Sequence, residues 1–222
     1  MKLHRILGLI LATQLLAVAT AFGQGSYKAE AIGAARATEV PASLQNVLDS
    51  QGARVVNDQG ATLCEVWLRK TLPTSSSPKP SSDLLYGALT EGTFLGVLHF
   101  PNAATDFRGQ TIKAGFYTLR YALIPQDGNH MGVNPYRDVM VLAPVSVDQD
   151  PAKAFGFDDL VKLGRQASGT PHPGFLVGAQ VSGSDFPSAV KDDQDHWNLQ
   201  VKGHGQSGEL PLAFTVVGKW GG

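Results

Sequence analysis

The stretch 116–124 reads FYTLRYALI and is the clearest strand in the chain. Every second side chain is large and apolar, and this set is Tyr117, Leu119, Tyr121 and Leu123. Because successive side chains of a strand point to opposite faces of a sheet, the period of two predicts that these four pack into a core. The same pattern predicts that Arg120 faces the other way.

Further short strands are predicted on both sides of this stretch. Residues 94–100 and 138–143 are apolar on both faces, which is typical of central strands. The other predicted strands are 54–56, 62–70, 175–181, 196–202 and 210–220. One substantial helix is predicted over 151–167 with Asp150 as its N-cap, and a shorter one opens after Pro41. Many short strands with little helix predict a mainly β fold, an antiparallel β-sandwich with one or two short docked helices.

Composition limits the classes of partner that the chain can bind. Lysine and arginine number 18 and aspartate and glutamate 19, so the formal net charge is −1. Without a basic excess we expect no nucleic-acid binding. Cys64 is the only cysteine, so no internal disulfide can form. It shares the apolar face of the strand 62–70, which predicts a small buried hydrophobe instead of a reactive thiol.

The first 23 residues have the features of a signal peptide. A short positive start precedes an apolar run over 6–18, and two small-x-small sites end at Ala21 and Gly23. The run is shorter than the about 20 residues of a membrane span, so we expect cleavage, with an uncleaved anchor as the alternative. The mature protein would then be secreted, periplasmic or extracellular, without a membrane span. We expect 24–40 to be a loose leader and 41–222 to form a single β-sandwich domain.

The loop 125–137 reads PQDGNHMGVNPYR and is long for a connection between two strands. Irregular loops of this length in compact domains are often functional. The segment 168–174 adds a histidine between two prolines, which would hold its imidazole on an extended backbone. The alternative is a structural loop whose groups satisfy one another. The candidate binding residues are Asp127, His130, Tyr136, Arg137 and His172.

Two motifs give the chain a family resemblance. The strand GFYTLRY at 115–121 is followed by PQDGNHMG at 125–132 and by an Arg-Asp pair at 137–138. In these residues, and in GTPHP at 169–173, the chain resembles an uncharacterised family of exported bacterial proteins. The similarity extends from about Pro41 to the carboxyl terminus. The resemblance implies a β-sandwich and no known reaction.

These residues favour a non-enzymatic binding or accessory role with an unidentified protein or small ligand as the partner. The alternative is a periplasmic site for a transition metal ion such as copper, which imidazole and thioether ligands suit. Its ligands would be His130, Met131 and His172, and the two imidazoles would need ring nitrogens within about 4 Å of each other. A third possibility is a hydrolase, for which Asp127 and Asp138 are the carboxylates to compare, at about 5–9 Å.

Overall fold

The structure is a computed structural model that describes residues 25–77, 81–128 and 134–220. The predicted signal peptide lies outside these residues. Among the described helices, none is long and apolar enough to cross a membrane. The elements follow in the order β1 (Tyr27–Ile32), α1 (Ala42–Gln45), β2 (Gly52–Asn57), β3 (Thr62–Leu68), β4 (Phe94–Phe100), β5 (Ala104–Thr105), β6 (Thr111–Ile112), β7 (Gly115–Leu123), β8 (Asp138–Pro144), α2 (Phe157–Ser168), β9 (Phe175–Val177), β10 (Ser188–Lys191), β11 (Trp197–Val201), β12 (His204–Gly205), β13 (Gly208–Glu209) and β14 (Leu212–Val217).

Two antiparallel sheets account for most of the strands. The larger has seven strands in the order β1-β2-β3-β4-β7-β8-β9, and the smaller has three in the order β10-β11-β14. Strands β5 and β6, and strands β12 and β13, form two small hairpins. One apolar core contains Leu119 of the larger sheet together with Leu199 and Phe214 of the smaller sheet. The fold of the described residues is therefore mainly β, an antiparallel β-sandwich with the two short helices α1 and α2, as the sequence predicts.

The period of two in β7 has the predicted result. Tyr117, Leu119 and Tyr121 lie in the sandwich core with exposed fractions of 5%, 0% and 1%. Cys64 lies in the same core and is fully buried, as predicted. Burial raises the pKa of the Cys64 thiol to about 12, so the thiol stays protonated and inert at neutral pH. Strand β4 pairs with β3 and β7, and it is apolar on both faces because Leu98 packs in the sandwich core while Val97 packs on the opposite side of the sheet.

The outer face of the seven-stranded sheet is covered as well. Helix α2 packs there through Leu160, which belongs to a second apolar cluster with Val139 and Val141 of β8. Helix α1 covers another part of the same sheet, where Leu44 packs in a third cluster with Trp67 of β3. Any polar side chain between these layers therefore needs buried partners, because burial removes it from water.

The described part of the predicted leader 24–40, residues 25–40, differs from the prediction of a loose segment. Strand β1 pairs along its whole length with β2, and Ala35 and Val40 are buried in the cluster around α1. The sequence signal is weak because Ala29 and Ala31 are poor strand formers, and strand pairing is decided by the neighbouring strand. The leader prediction is wrong for the strand and for these two buried residues.

Helix α2 also differs from its prediction. It begins at Phe157 instead of residue 151, and its N-cap is Gly156 instead of Asp150. Asp150 has another role, because its carboxylate accepts the N–H of Ala152 at 2.9 Å. Its backbone carbonyl accepts a hydrogen bond from Arg120. The segment 149–156 is therefore a loop held by a buried side chain.

Arg120 is the buried side chain that fixes this loop. Its guanidinium is 1% exposed and donates to both oxygens of Asp148, from Nε at 2.8 Å and from Nη2 at 2.7 Å. Three further hydrogen bonds, of 2.7 to 3.0 Å, go to the backbone carbonyls of Gly92, Asp150 and Lys153. All five N–H groups are satisfied, as the burial of a cation requires.

Two aromatic rings and a glycine complete the surroundings of this guanidinium. The ring centres of Phe94 and Phe155 lie 5.3 and 4.8 Å from its central carbon. Gly92 has φ of +83°, and a Cβ there would lie 2.5 Å from the carbonyl oxygen of Phe155. Only glycine fits such a position. Because Phe155 immediately precedes the N-cap of α2, these contacts fix where the helix begins over the sheet.

Loss of either buried charge should destabilise the protein strongly. We expect Asp148→Ala and Arg120→Met each to lower the free energy of unfolding by about 3–5 kcal/mol, because each leaves one buried charge without its partner. In a double-mutant cycle the two losses should be far from additive. Urea denaturation measures the free energy of unfolding of the two single variants and the double variant.

The matched control is Asp159→Ala, which breaks the exposed ion pair with Lys162. It should leave stability unchanged within error, because exposed pairs contribute little. A loss below about 1 kcal/mol in Asp148→Ala would show that the buried pair does not hold the loop.

Candidate functional site

A cavity of about 470 Å³ lies between α2 and the outer face of the seven-stranded sheet. Its floor is apolar and comes from the ends of β7, β8 and β9. Helix α2 forms one wall, and residues from three connecting segments surround the mouth. The lining residues are Arg108, Ala122, Leu123, Ile124, Pro125, Asp127, Val139, Val141, Phe157, Leu160, Val161, Arg165, Pro171, His172, Pro173 and Phe175. We refer to this feature as the α2 cavity.

Helix α2 presents one face to the α2 cavity. Phe157, Leu160, Val161 and Arg165 line it and recur at i, i+3, i+4 and i+8, which are neighbours on one helix face. Phe157 stays 41% exposed although it is a large apolar side chain. At Gly164 a Cβ would lie 2.5 Å from Pro173, so the helix approaches the 171–173 segment closely at this end.

Two arginines at the mouth of the α2 cavity have no acidic partner in the described part of the chain. Neither Arg108 nor Arg165 forms an ion pair with any residue of the described ranges, and both are exposed. The Nε of Arg165 donates to the carbonyl of Pro171 at 2.6 Å, which holds its side chain beside the 171–173 segment. The mouth therefore carries two guanidinium groups, the imidazole of His172 and the carboxylate of Asp127.

A buried carboxylate fixes the backbone at Arg108. Asp106 is 0% exposed, and its Oδ1 accepts the N–H groups of Arg108 and Gln110 at 3.0 and 2.8 Å. Its Oδ2 accepts from the side-chain amide of Gln110 at 2.7 Å. Burial raises the pKa of Asp106, and these three hydrogen bonds oppose that rise. The turn at 106–110 is thus built around one desolvated acid.

The Gln110 side chain connects this turn to the segment that carries His172. Its amide donates to the carbonyl of Pro173 at 3.2 Å, and its Oε1 accepts from the hydroxyl of Thr170. The Thr170 oxygen accepts the N–H of His172 at 3.1 Å, and Ser168 donates to the carbonyl of His172 at 2.6 Å. Both sides of the mouth near Arg108 and His172 are therefore held by one hydrogen-bond network.

The four predicted binding residues that the structure describes do not form one site. Asp127 and His172 line the α2 cavity together. Tyr136 lines a separate polar cleft of about 580 Å³ on the outer side of the smaller sheet. The buried polar groups of this cleft bind one another, since Asn198 donates to Asp192 at 3.0 Å and accepts from Thr215 at 2.7 Å.

Arg137 lines neither the α2 cavity nor the polar cleft. Its Nε donates to the carbonyl of Ile124 at 2.8 Å, and its guanidinium lies 3.7 Å from the carboxylate of Asp83. The backbone N–H of Arg137 donates to the carbonyl of Asp83. These contacts close the base of the loop 125–137, which is a structural role.

The predicted metal site depends on residues that the structure does not describe. His130 and Met131 lie outside the described ranges, so their distance from His172 stays a prediction. Within those ranges no group of three or more histidine, cysteine, aspartate or glutamate side chains could hold a metal ion.

The two carboxylates considered for hydrolysis have different surroundings. Asp138 is fully buried and accepts the N–H groups of Leu85 and Tyr86 and the hydroxyl of Tyr121. It fastens the segment before β4 to the sheet and lines none of the cavities described above. Asp127 lies at the mouth of the α2 cavity and has an interaction of its own.

Sequence reasoning did not identify Arg108, Arg165 and Phe157 as site residues. Arg165 carried a usable signal, because it falls on the apolar face of α2 together with Phe157. Arg108 carried none, because its place at the mouth depends on the turn at 106–110 and on contacts with 170–173.

No family model, curated protein or solved structure matches the chain. The resemblance to an exported family therefore stays a prediction.

The hydrogen-bond network at the mouth can be tested at Thr170. We expect Thr170→Val, which removes one hydroxyl, to cost about 1–2 kcal/mol of stability and to increase amide hydrogen exchange within 168–174. Amides of β7 and β8 should keep their protection, because the sandwich core is untouched. Exposed Thr105→Val is the matched control, and equal exchange in both variants would contradict a holding role for the Thr170 hydroxyl.

Proposed function

We propose that this chain is an exported, non-enzymatic binding domain that holds a small, largely apolar ligand in the α2 cavity. The observation that carries the proposal is the cavity itself. Its volume of about 470 Å³ falls within the 300–1,000 Å³ of small-molecule sites. An apolar floor with a few polar groups at the mouth is the usual composition of such sites.

The fixed surroundings of the α2 cavity support this proposal. Its floor belongs to three adjacent hydrogen-bonded strands of the larger sheet, and its helical wall begins at a loop held by Arg120. The mouth is held by the network around Asp106 and Gln110. A pocket formed before its ligand arrives loses less ordering entropy on binding, which favours affinity.

The chemistry of the buried ionisable groups favours binding over catalysis. Asp138 and Asp148 are saturated with hydrogen bonds that hold the fold. Cys64 is sealed in the core with a raised pKa. Export is supported by the apolar run over 6–18 and its two cleavage sites.

Binding of a neutral apolar dye tests the proposal. We expect N-phenyl-1-naphthylamine to bind the folded protein saturably, with a rise in fluorescence as it leaves water. Val161→Trp should weaken the dye at least about tenfold, because Val161 lines the cavity and a larger side chain there fills the space of the ligand.

Val147→Trp is the matched control, because Val147 is 46% exposed and lies outside the α2 cavity. It should bind the dye as the unmodified protein does. Circular dichroism confirms that both variants are folded. Absence of saturable dye binding, or equal binding by Val161→Trp, would overturn the proposal.

A further inference from the structure

We propose that the ligand of the α2 cavity is an amphipathic anion, a carboxylate on an alkyl chain, whose head group binds Arg108 and Arg165. This inference rests on the proposed function and adds the chemical class of the ligand. The two arginines and the apolar floor carry this inference, because they offer a charged environment and an apolar environment to the same molecule.

The mouth of the α2 cavity carries two guanidinium groups and one carboxylate, that of Asp127, which takes part in an interaction of its own. Arg54, Arg120 and Arg137 each have a carboxylate partner within the fold. Arg36 and Arg69 show no ion pair among the described residues, but neither lines the α2 cavity. Arg108 and Arg165 line the cavity and pair with no acid among the described residues.

The position of the two guanidiniums also supports this inference. Arg165 is tied to the carbonyl of Pro171, and the turn of Arg108 is tied through Gln110 to Thr170 and Pro173. Both arginines therefore flank the 170–173 segment at one end of the α2 cavity. A guanidinium presents a planar pair of N–H donors that matches the two oxygens of a carboxylate.

An apolar surface extends from this end of the α2 cavity. Along α2 the cavity runs from Arg165 to Phe157, about 12 Å at a rise of 1.5 Å per residue. Val141 and Phe175 of the sheet line the same space. A flexible alkyl chain matches an elongated apolar floor, and its burial provides affinity in proportion to the methylenes removed from water.

Competition against the neutral dye separates head-group charge from apolar burial. The competitors are decanoate, decanol and decyltrimethylammonium, each below its micelle concentration. We expect decanoate to bind at least about tenfold more tightly than decanol, and the cation to compete least. Along hexanoate, octanoate and decanoate, affinity should rise about fourfold per methylene.

Arginine variants test the residues. In the double variant Arg108→Ala/Arg165→Ala, the ratio of the affinity for decanoate to the affinity for decanol should fall towards one. Arg36→Ala, at an exposed arginine outside the α2 cavity, should keep the preference. Raised salt should weaken the binding of decanoate more than that of decanol, because salt screens only the charged head group.

The outcomes distinguish this inference from the proposed function. If decanol competes as well as decanoate, or if the double variant keeps the preference, the anionic head is wrong while the binding function stands. If the dye itself does not bind the unmodified protein, both proposals fail.

Discussion

The buried guanidinium of Arg120 is the constraint on which the outer layer of this protein depends. A cation removed from water is tolerated only when its charge and all its donors are satisfied, and here one carboxylate and three backbone carbonyls satisfy them. Two of those carbonyls belong to the loop between β8 and α2, at Asp150 and Lys153. Folding β7 with Arg120 on its outer face therefore requires this loop to close over the sheet. That closure determines where α2 begins.

The α2 cavity exists because helix α2 covers only part of the outer face of the sheet. Leu160 and Leu163 pack on the outer face of the sheet, and Gly164 allows close contact with Pro173. Apolar surface of β7, β8 and β9 still lines an open space beside the helix. Open apolar surface gains free energy when a ligand covers it, which gives the cavity a functional interpretation. The network from Asp106 through Gln110 to Thr170 joins the turn that carries Arg108 to the segment that carries His172.

Period-two patterning predicted the sandwich because local side-chain alternation decides which face of a strand is buried. It predicted the core positions of Tyr117 and Leu119, the burial of Cys64 and the outward direction of Arg120. It missed β1, whose small residues are ordered by pairing with β2, and it placed the start of α2 too early. The sequence predicted Asp127 and His172 as parts of one binding surface, but it could not place that surface between α2 and the sheet, because the α2 cavity draws on separate segments of the chain. Arg108 joins them only through tertiary hydrogen bonds.

A crystal structure with ω-bromodecanoate bound would test the central claim most directly. The anomalous signal of bromine locates the tail, and the electron density locates the carboxylate. We expect bromine over the floor formed by Val139 and Val141, and carboxylate oxygens within hydrogen-bond distance of Arg108 or Arg165. Bromine in the polar cleft beside Asn198, or a carboxylate directed away from both arginines, would contradict it.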